Sequence, residues 1–311
     1  MVTPQSTSTF NDPADASLSA PIDLARVRRL FGRPQAVAPS DFLRREIAGR
    51  MRERLALVKL SPQRVLDAGC GAGADLALLQ KCYPAAQVLG LDAAQAMAAA
   101  ARPAASAGKS LLKRLLPAKA GIDVLAGDFG DLPFGPNGID LVWSNLALHW
   151  HPQPDRVFAE WRRVLRVDGL LMFSNFGPDS LRELRAAFAA VDDLAHVLPF
   201  VDMHDFGDQL VEAGFSTPVM DMEVITVTYD TAQALLADVR ALGGNPLATR
   251  SRGLMGRAAG LRLQAALERG RRADGKLALT FEVIYGHAFR PAPRVTAAGE
   301  AIVRFQPRRQ G

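Results

Sequence analysis

Three acids stand where apolar runs give way to small residues. Asp67 precedes Gly69-Cys70-Gly71-Ala72-Gly73, Asp92 ends a second run, and Asp128 follows a third in Gly127-Asp128-Phe129. Asn145 closes a fourth run, in Ser144-Asn145-Leu146. The first of these, Val65-Leu66-Asp67-Ala68-Gly69-Cys70-Gly71-Ala72-Gly73, reads as an apolar strand turning through glycines into a helix. Such a turn brings bare backbone against a nucleotide-like ligand. In a dinucleotide site it receives a pyrophosphate. A carboxylate at Asp67 opposes that charge and favours a ligand carrying an ammonium and a sulfonium. The glycines alone do not decide, because Gly69-x-Gly71-x-x-Ala74 also satisfies the dinucleotide fingerprint. Asp92 suits an adenosine ribose in either case. Asp128 stands where an adenine amino group can be bonded, beside the aromatic Phe129, and Asn145 stands where an acceptor would approach.

The elements that must hold these residues alternate. Strand-length apolar runs at 64–67, 87–92, 122–126, 139–144 and 170–175 are separated by helical stretches at 74–81, 93–101, 154–165 and 180–191. Regular alternation predicts an α/β fold with a doubly wound, mostly parallel sheet and its ligand at the carboxyl ends of the strands. Two helices precede the first strand, at 22–31 and 41–60, the second with an apolar stripe of Phe42, Ile47, Met51, Leu55 and Val58. Ser180 and Glu183 form a capping-box pattern at the start of the last of these helices. Two later strands, 219–229 and 277–289, complete a seven-stranded sheet with an antiparallel edge, and residues 192–276 are expected to contain a helical cap on the substrate side.

The chain has 311 residues and is 49% hydrophobic, enough for one large domain over 21–311. Residues 1–20 lack the basic and apolar segments of a secretory signal and read as a disordered tail. No apolar run reaches the roughly 18 residues of a membrane span. Two cysteines, Cys70 and Cys82, suggest no disulfide framework or metal cluster and fit a reducing cytoplasm. The net charge of +5 is concentrated. Residues 102–119 hold five basic side chains and no acid; residues 250–276 hold eight against Glu268 and Asp274. Such patches favour an acidic partner. Nucleic acid is disfavoured, because residues 250–276 contain no aromatic side chain to stack on bases.

Over residues 64–176 the chain resembles the class I S-adenosylmethionine-dependent methyltransferases, with Val-Leu-Asp-x-Gly-Cys-Gly-x-Gly as their first motif. The resemblance implies a Rossmann-like sheet and S-adenosylmethionine as cofactor. It implies Asp67, Ala68, Gly69, Cys70 and Gly71 at the methionine part, Asp92 and Ala93 at the ribose, Asp128 and Phe129 at the adenine, and Asn145 near the methyl donor. Further stretches are similar to the malonyl-[acyl-carrier protein] O-methyltransferase family of biotin synthesis. They are Asp41-Phe42-Leu43-Arg44-Arg45-Glu46-Ile47, Asn145-Leu146-Ala147-Leu148-His149-Trp150, Phe176-Gly177-Pro178-Asp179-Ser180-Leu181-Arg182-Glu183-Leu184, Arg240-Ala241-Leu242-Gly243-Gly244-Asn245 and Phe281-Glu282-Val283-Ile284-Tyr285-Gly286-His287-Ala288. That family esterifies the free carboxylate of a malonyl group on acyl-carrier protein. A tyrosine that its members carry shortly before the Asp41 helix has no counterpart in residues 31–40, and the basic stretch 102–119 is atypical.

A carboxylate acceptor is ionised at neutral pH and needs no general base. The absence of a Ser/His/Asp constellation agrees with this. An apolar pocket with one donor or cation for the spare carboxylate oxygen suffices, and His149, Trp150, Asn175, Phe176, Arg240 and Tyr285 are the candidates. The arginines between Arg250 and Arg272 are expected to steer an acidic carrier. A methyltransferase for another small acid, a quinone precursor or RNA, and a non-methylating hydroxylase or assembly factor on the same scaffold, are the alternatives.

Overall fold

The structure, a computed structural model, describes residues 21–106, 121–251 and 253–293, without the side chains of 103–106. The expected tail and most of the basic stretch 102–119 lie outside the described residues. Three helices, α1 (Leu24–Leu30), α2 (Pro34–Val37) and α3 (Asp41–Leu55), lead into β1 (Arg64–Ala68). Then follow α4 (Ala74–Cys82), β2 (Gln87–Asp92), α5 (Gln95–Ser106), β3 (Gly121–Ala126), β4 (Ile139–Asn145), α6 (Pro154–Val164) and β5 (Leu165–Phe176). The remainder is α7 (Arg182–Ala189), α8 (Met203–Glu212), β6 (Ser216–Tyr229), α9 (Ala232–Ala241), α10 (Arg257–Arg269) and β7 (Leu277–Phe289).

The sheet has seven strands in the order β3-β2-β1-β4-β5-β7-β6. β1 to β5 run parallel; β7 is antiparallel to β5 and to β6. β1 and β4, covered on both faces, are buried almost throughout, as central parallel strands must be. The order reverses between β1 and β4, so the loops after them diverge and leave a crevice at their carboxyl ends. Asp67, Asp92 and Asn145 all lie at that end.

The core divides by face. On one side Leu43, Ile47, Met51 and Leu55 of α3 pack with Leu76 and Leu79 of α4, and the cluster continues through Leu184 of α7, Leu235 of α9 and Leu263 and Leu267 of α10. On the other side Val157, Phe158 and Trp161 of α6 meet Phe206 and Leu210 of α8. The α3 stripe is an unbroken i, i+4 series that keeps Ile47, Met51 and Leu55 of the expected one but starts at Leu43, which is buried, and not at Phe42, which is 46% exposed. That helix ends at Leu55, short of the expected residue 60.

The capping-box expectation is corrected. Leu181 caps α7 with a left-handed φ of 59° and no side-chain hydrogen bond. The Ser180 Oγ instead accepts from Glu282 N at 3.0 Å and donates to Glu282 O at 2.9 Å. Glu183 accepts from the Thr280 amide at 2.9 Å. Both side chains are taken by β7, which has lost β5 as a partner beyond Val283 and needs new ones. Ser180→Ala is therefore expected to cost about 1–3 kcal/mol in urea denaturation, since it strips a buried backbone pair. Hydrogen exchange should speed up at the Glu282 amide; faster exchange confined to the first turn of α7 would restore the capping box.

Candidate active site

A cavity of about 280 Å³ opens at the carboxyl ends of β1, β2 and β4, and Asp67, Gly69, Asp92, Phe129 and Asn145 line it. Its floor is the glycine turn. Gly69 has φ 88°, and a Cβ there would sit 2.3 Å from the Ala147 Cβ. The Gly69 and Cys70 amides donate to Leu91 O at 2.8 and 3.0 Å, pinning the turn to β2. Asp92 accepts from Gly71 N at 2.9 Å and Ala94 N at 2.8 Å, which fixes its carboxylate at the cavity wall.

Three buried acids dominate the electrostatics. Burial pushes the Asp67 carboxyl well above the ordinary value of 3.8, and the nearby Asp75 and Asp92 push it further. Asp75 and Asp92 are raised by burial as well. Asp75 is held by Trp143 Nε1 at 2.9 Å and Asn145 Nδ2 at 3.0 Å. The Asp67 Oδ2 is buried with no hydrogen-bond partner among the described residues. A buried, orphaned carboxylate oxygen at a cavity wall calls for a cationic or donor group from a ligand. Arg44 of α3, half-buried, also lines the cavity, its Nη1 bonded to Asp41 at 3.0 Å and to Ser40 Oγ at 2.6 Å. The cavity therefore offers negative charge on one side, a guanidinium on another and apolar walls between.

The N-terminal helices close the cavity. Val27, Phe31 and Val37 of that segment line it, the last two in the stretch 31–40 where the family's tyrosine is missing. Phe31 meets Trp150 edge-on at 5.0 Å. Trp150 also lines a second cavity of about 470 Å³, bounded by α7, α9 and α10 and by the loops around 196–200 and 242–245. The two chambers thus share one aromatic wall. At the inner end of the second lie His149, Phe176 and Phe200, with His149 5.2 Å from Phe176 and 5.6 Å from Phe200. His149 Nδ1 is 2.5 Å from Asn175 Oδ1, and burial pushes the imidazole down to about 4. It is neutral at physiological pH.

The structure sorts the sequence candidates. Asp67, Gly69, Cys70, Gly71, Asp92, Ala93, Phe129 and Asn145 line the first cavity. His149, Trp150, Phe176 and Arg240 line the second, and Asn175 touches it through His149. Ala68 lies one residue inside, where its carbonyl accepts from Ser144 Oγ at 2.8 Å. Asp128 stands beside the first cavity rather than in its wall, accepting from Gly130 N at 2.9 Å and pairing with Arg28 at 3.4 Å. Tyr285 is away from both. β7 pairs it with Ser174, and its ring is covered by the Arg54 guanidinium at 3.9 Å, on the α3 side of the sheet. Sequence reading passed over Asp75 and Arg44 as site residues. Asp75 sits in the first turn of α4 right after the glycines, a position that signals proximity; Arg44 is brought in only by the fold of α3.

Comparison with known proteins now adds to this geometry. A family profile described as "Methyltransferase domain" matches residues 66–173. A malonyl-[acyl-carrier protein] O-methyltransferase of Laribacter hongkongensis is 49% identical over 290 residues, covering 92% of this chain and 96% of that one. Its counterpart in Gallionella capsiferriformans is 46% identical, covering 91% and 96%. The chain belongs to the malonyl-[acyl-carrier protein] O-methyltransferase family. It is an S-adenosylmethionine-dependent methyltransferase with the class I fold. The YcgJ protein of Bacillus subtilis superposes with a TM-score of 0.54 at 17% identity, over 80% of this chain and all of that one, and bears on the fold alone. Among the described residues no helix is long and apolar enough to cross a membrane, and no group of acids, histidines and cysteines is set to hold a metal.

The methyltransferase site has a measurable cost in the ligand-free protein. Carboxyls whose folded pKa lies above the unfolded value destabilise the fold as pH rises past about 3.8, where the unfolded chain ionises first. Asp67→Asn is expected to raise the melting temperature of the ligand-free protein at pH 7. The gain should shrink as pH falls through the raised folded-state value and vanish below about 3.8, where Asp67 is protonated in both states. A melting temperature that falls at pH 7, or a gain independent of pH, would contradict the buried-charge account.

Proposed function

We propose that this enzyme transfers a methyl group from S-adenosylmethionine to the free carboxylate of a malonyl group on acyl-carrier protein, in the cytoplasm, as a step of biotin synthesis. The observation that carries the reading is the orphaned Asp67 carboxylate at one chamber and a mainly apolar second chamber sharing the Trp150 wall. The names of relatives up to 49% identical over nearly the whole chain support the acceptor.

S-adenosylmethionine supplies a methyl group on an electrophilic sulfonium. The protein's part is to bind, orient and exclude water. In this reading Asp67, with the backbone at Ala68, Gly69, Cys70 and Gly71, receives the positive end of the methionine portion. Arg44 takes its carboxylate. Asp92 and Ala93 hold the ribose, Phe129 packs on the adenine with Asp128 behind it, and Asn145, fixed by Ser174 Oγ at 2.9 Å, faces the reacting end. The acceptor enters the second chamber, where Trp150 and Phe176 strip water from its carboxylate and the Asn175 side-chain amide, oriented by the His149 Nδ1–H on its Oδ1, donates to the spare oxygen. Aligning an ionised carboxylate in line with the methyl carbon is most of the task; well-oriented groups supply about 7–11 kcal/mol of such a barrier. α9 and α10 form the substrate-side wall of the 192–276 segment. The partner is an acidic carrier attracted by the basic segment between Arg250 and Arg272.

Incubation with methyl-labelled S-adenosylmethionine and malonyl carrier protein should place base-labile label on the carrier. Binding of the methyl donor without turnover on any carboxylic acid would sink the reading. Asp92→Ala should weaken S-adenosylmethionine binding roughly 10- to 100-fold by calorimetry, the worth of a lost charged hydrogen bond; unchanged affinity would remove Asp92 from the ribose. Because the acceptor is ionised and His149 is neutral, kcat/KM for the acceptor, measured at saturating S-adenosylmethionine, should stay flat from about pH 6 to 9. A rise governed by a single group near pH 7 would instead reveal a general base.

A further inference from the structure

The basic segment is not uniform. Residues 239–267 contain five arginines and no acid. Beyond them, Arg271 pairs with Glu268, Arg272 with Asp274 and Lys276 with Asp230, so the far end of α10 is neutralised within the protein. Arg240 and Arg257 have no ion-pair partner among the described residues. Helix geometry then sorts the near end. Arg257, Gly260, Leu261 and Gln264 follow the i, i+3, i+4, i+7 spacing of one helix stripe, next to the core stripe of Leu263 and Leu267. Gly260 and Gln264 line the second cavity, whereas Arg257 and Leu261 face solvent. Leu261 is 58% exposed, and the loop before the helix adds Met255, at 47%, and Leu254, fully exposed. Met255 also lines the cavity. Arg240, exposed on α9, stands on the cavity's wall. Arg262, by contrast, lies on the other flank of α10, reaching towards the Val191 carbonyl at 3.5 Å.

An apolar patch ringed by unpaired arginines, at the rim of a chamber that reaches inward to His149, fits one kind of partner. That partner is an acidic surface helix with apolar residues, on a protein that threads a long flexible arm into the chamber. Residues 239–267 contain no aromatic side chain, which disfavours nucleic acid. We propose that the N-terminal half of α10, with the loop before it, is the docking face for the carrier protein: Arg257 and Leu261, with Leu254 and Met255, seat an acidic carrier helix, and Arg240 meets the phosphate of the carrier's arm where it enters the second cavity. This rests on the carrier-borne acceptor proposed above and narrows the docking region from residues 250–272 to one stripe.

The test compares two acceptors with the same acyl group: malonyl carrier protein and a malonyl thioester of a small thiol. Arg257→Glu places an acid at the first residue of a helix, where the dipole favours it, so the helix is retained. Leu261→Asp is the second variant, and Arg52→Glu, on the exposed side of α3, controls for net charge. Expected for both patch variants is a roughly tenfold fall in kcat/KM with the carrier and a matching loss of carrier affinity in calorimetry, with little change on the small thioester. Arg52→Glu should change neither. Equal falls on both acceptors, or undiminished carrier binding, would overturn the docking face. If wild-type enzyme binds the carrier through this patch yet methylates neither malonyl acceptor, the proposed reaction fails and the docking face stands.

Discussion

The carboxyl end of the sheet is built around a cluster of acids that the protein satisfies only in part. Asp67, Asp75 and Asp92 converge within one buried wall, and one oxygen of Asp67 has no hydrogen-bond partner among the described residues. A fold tolerates such a cluster only where a ligand completes it, since an isolated buried carboxylate is costly. The glycine turn follows from the same demand. Gly69 must lie against Ala147 for the strand ends to close on the ligand, and its left-handed φ together with the 2.3 Å approach excludes any side chain. The Gly69, Cys70 and Gly71 amides are then engaged by Leu91 and Asp92, which shifts selection of the ligand from backbone donors towards side-chain charge. This separates the site from a pyrophosphate cradle of similar sequence.

A second constraint ties the two chambers together. Gly243, at φ 125°, lies so close to Trp150 and Phe31 that a Cβ would be 2.7 and 2.9 Å from their rings. The same turn holds the N-terminal segment: Asp23 N donates to Pro246 O at 3.0 Å and Arg26 Nε to Asn245 O at 2.8 Å. The helices that cover the first cavity are thus fastened to a loop bordering the second. Trp150 is the shared wall, and its indole is held by packing, with no side-chain hydrogen bond among the described residues.

Much of this was legible in the sequence where local pattern and chemistry coincide. The β–α alternation, the seven strands and the strand-end acids follow from hydrophobic period and from which residue ends each run. Long-range contacts were less visible. Ser180 and Glu183 have the spacing of a capping box, yet β7 claims both, because a strand that outlasts its neighbour recruits whatever donors lie opposite. Tyr285 sits in a family-like stretch, but strand register turns its ring under Arg54. Arg44 is an ordinary helix arginine by sequence, and only the packing of α3 against the glycine turn places it by Asp75. Asp128 reads as a ligand residue from its position after β3, and its carboxylate, beside the first cavity, is engaged by Arg28 and Gly130.

The central claim is that the buried carboxylates form a trap for a cationic ligand. Carboxyls raised by burial carry protons that a bound cation must displace. Calorimetric titration of the protein with S-adenosylmethionine, repeated in buffers of different ionisation enthalpy, measures that exchange directly. Net proton release that grows as the titration is moved from neutral to acidic pH, reduced in Asp67→Asn, is the predicted result. Binding with no proton release, or with uptake, would contradict the account.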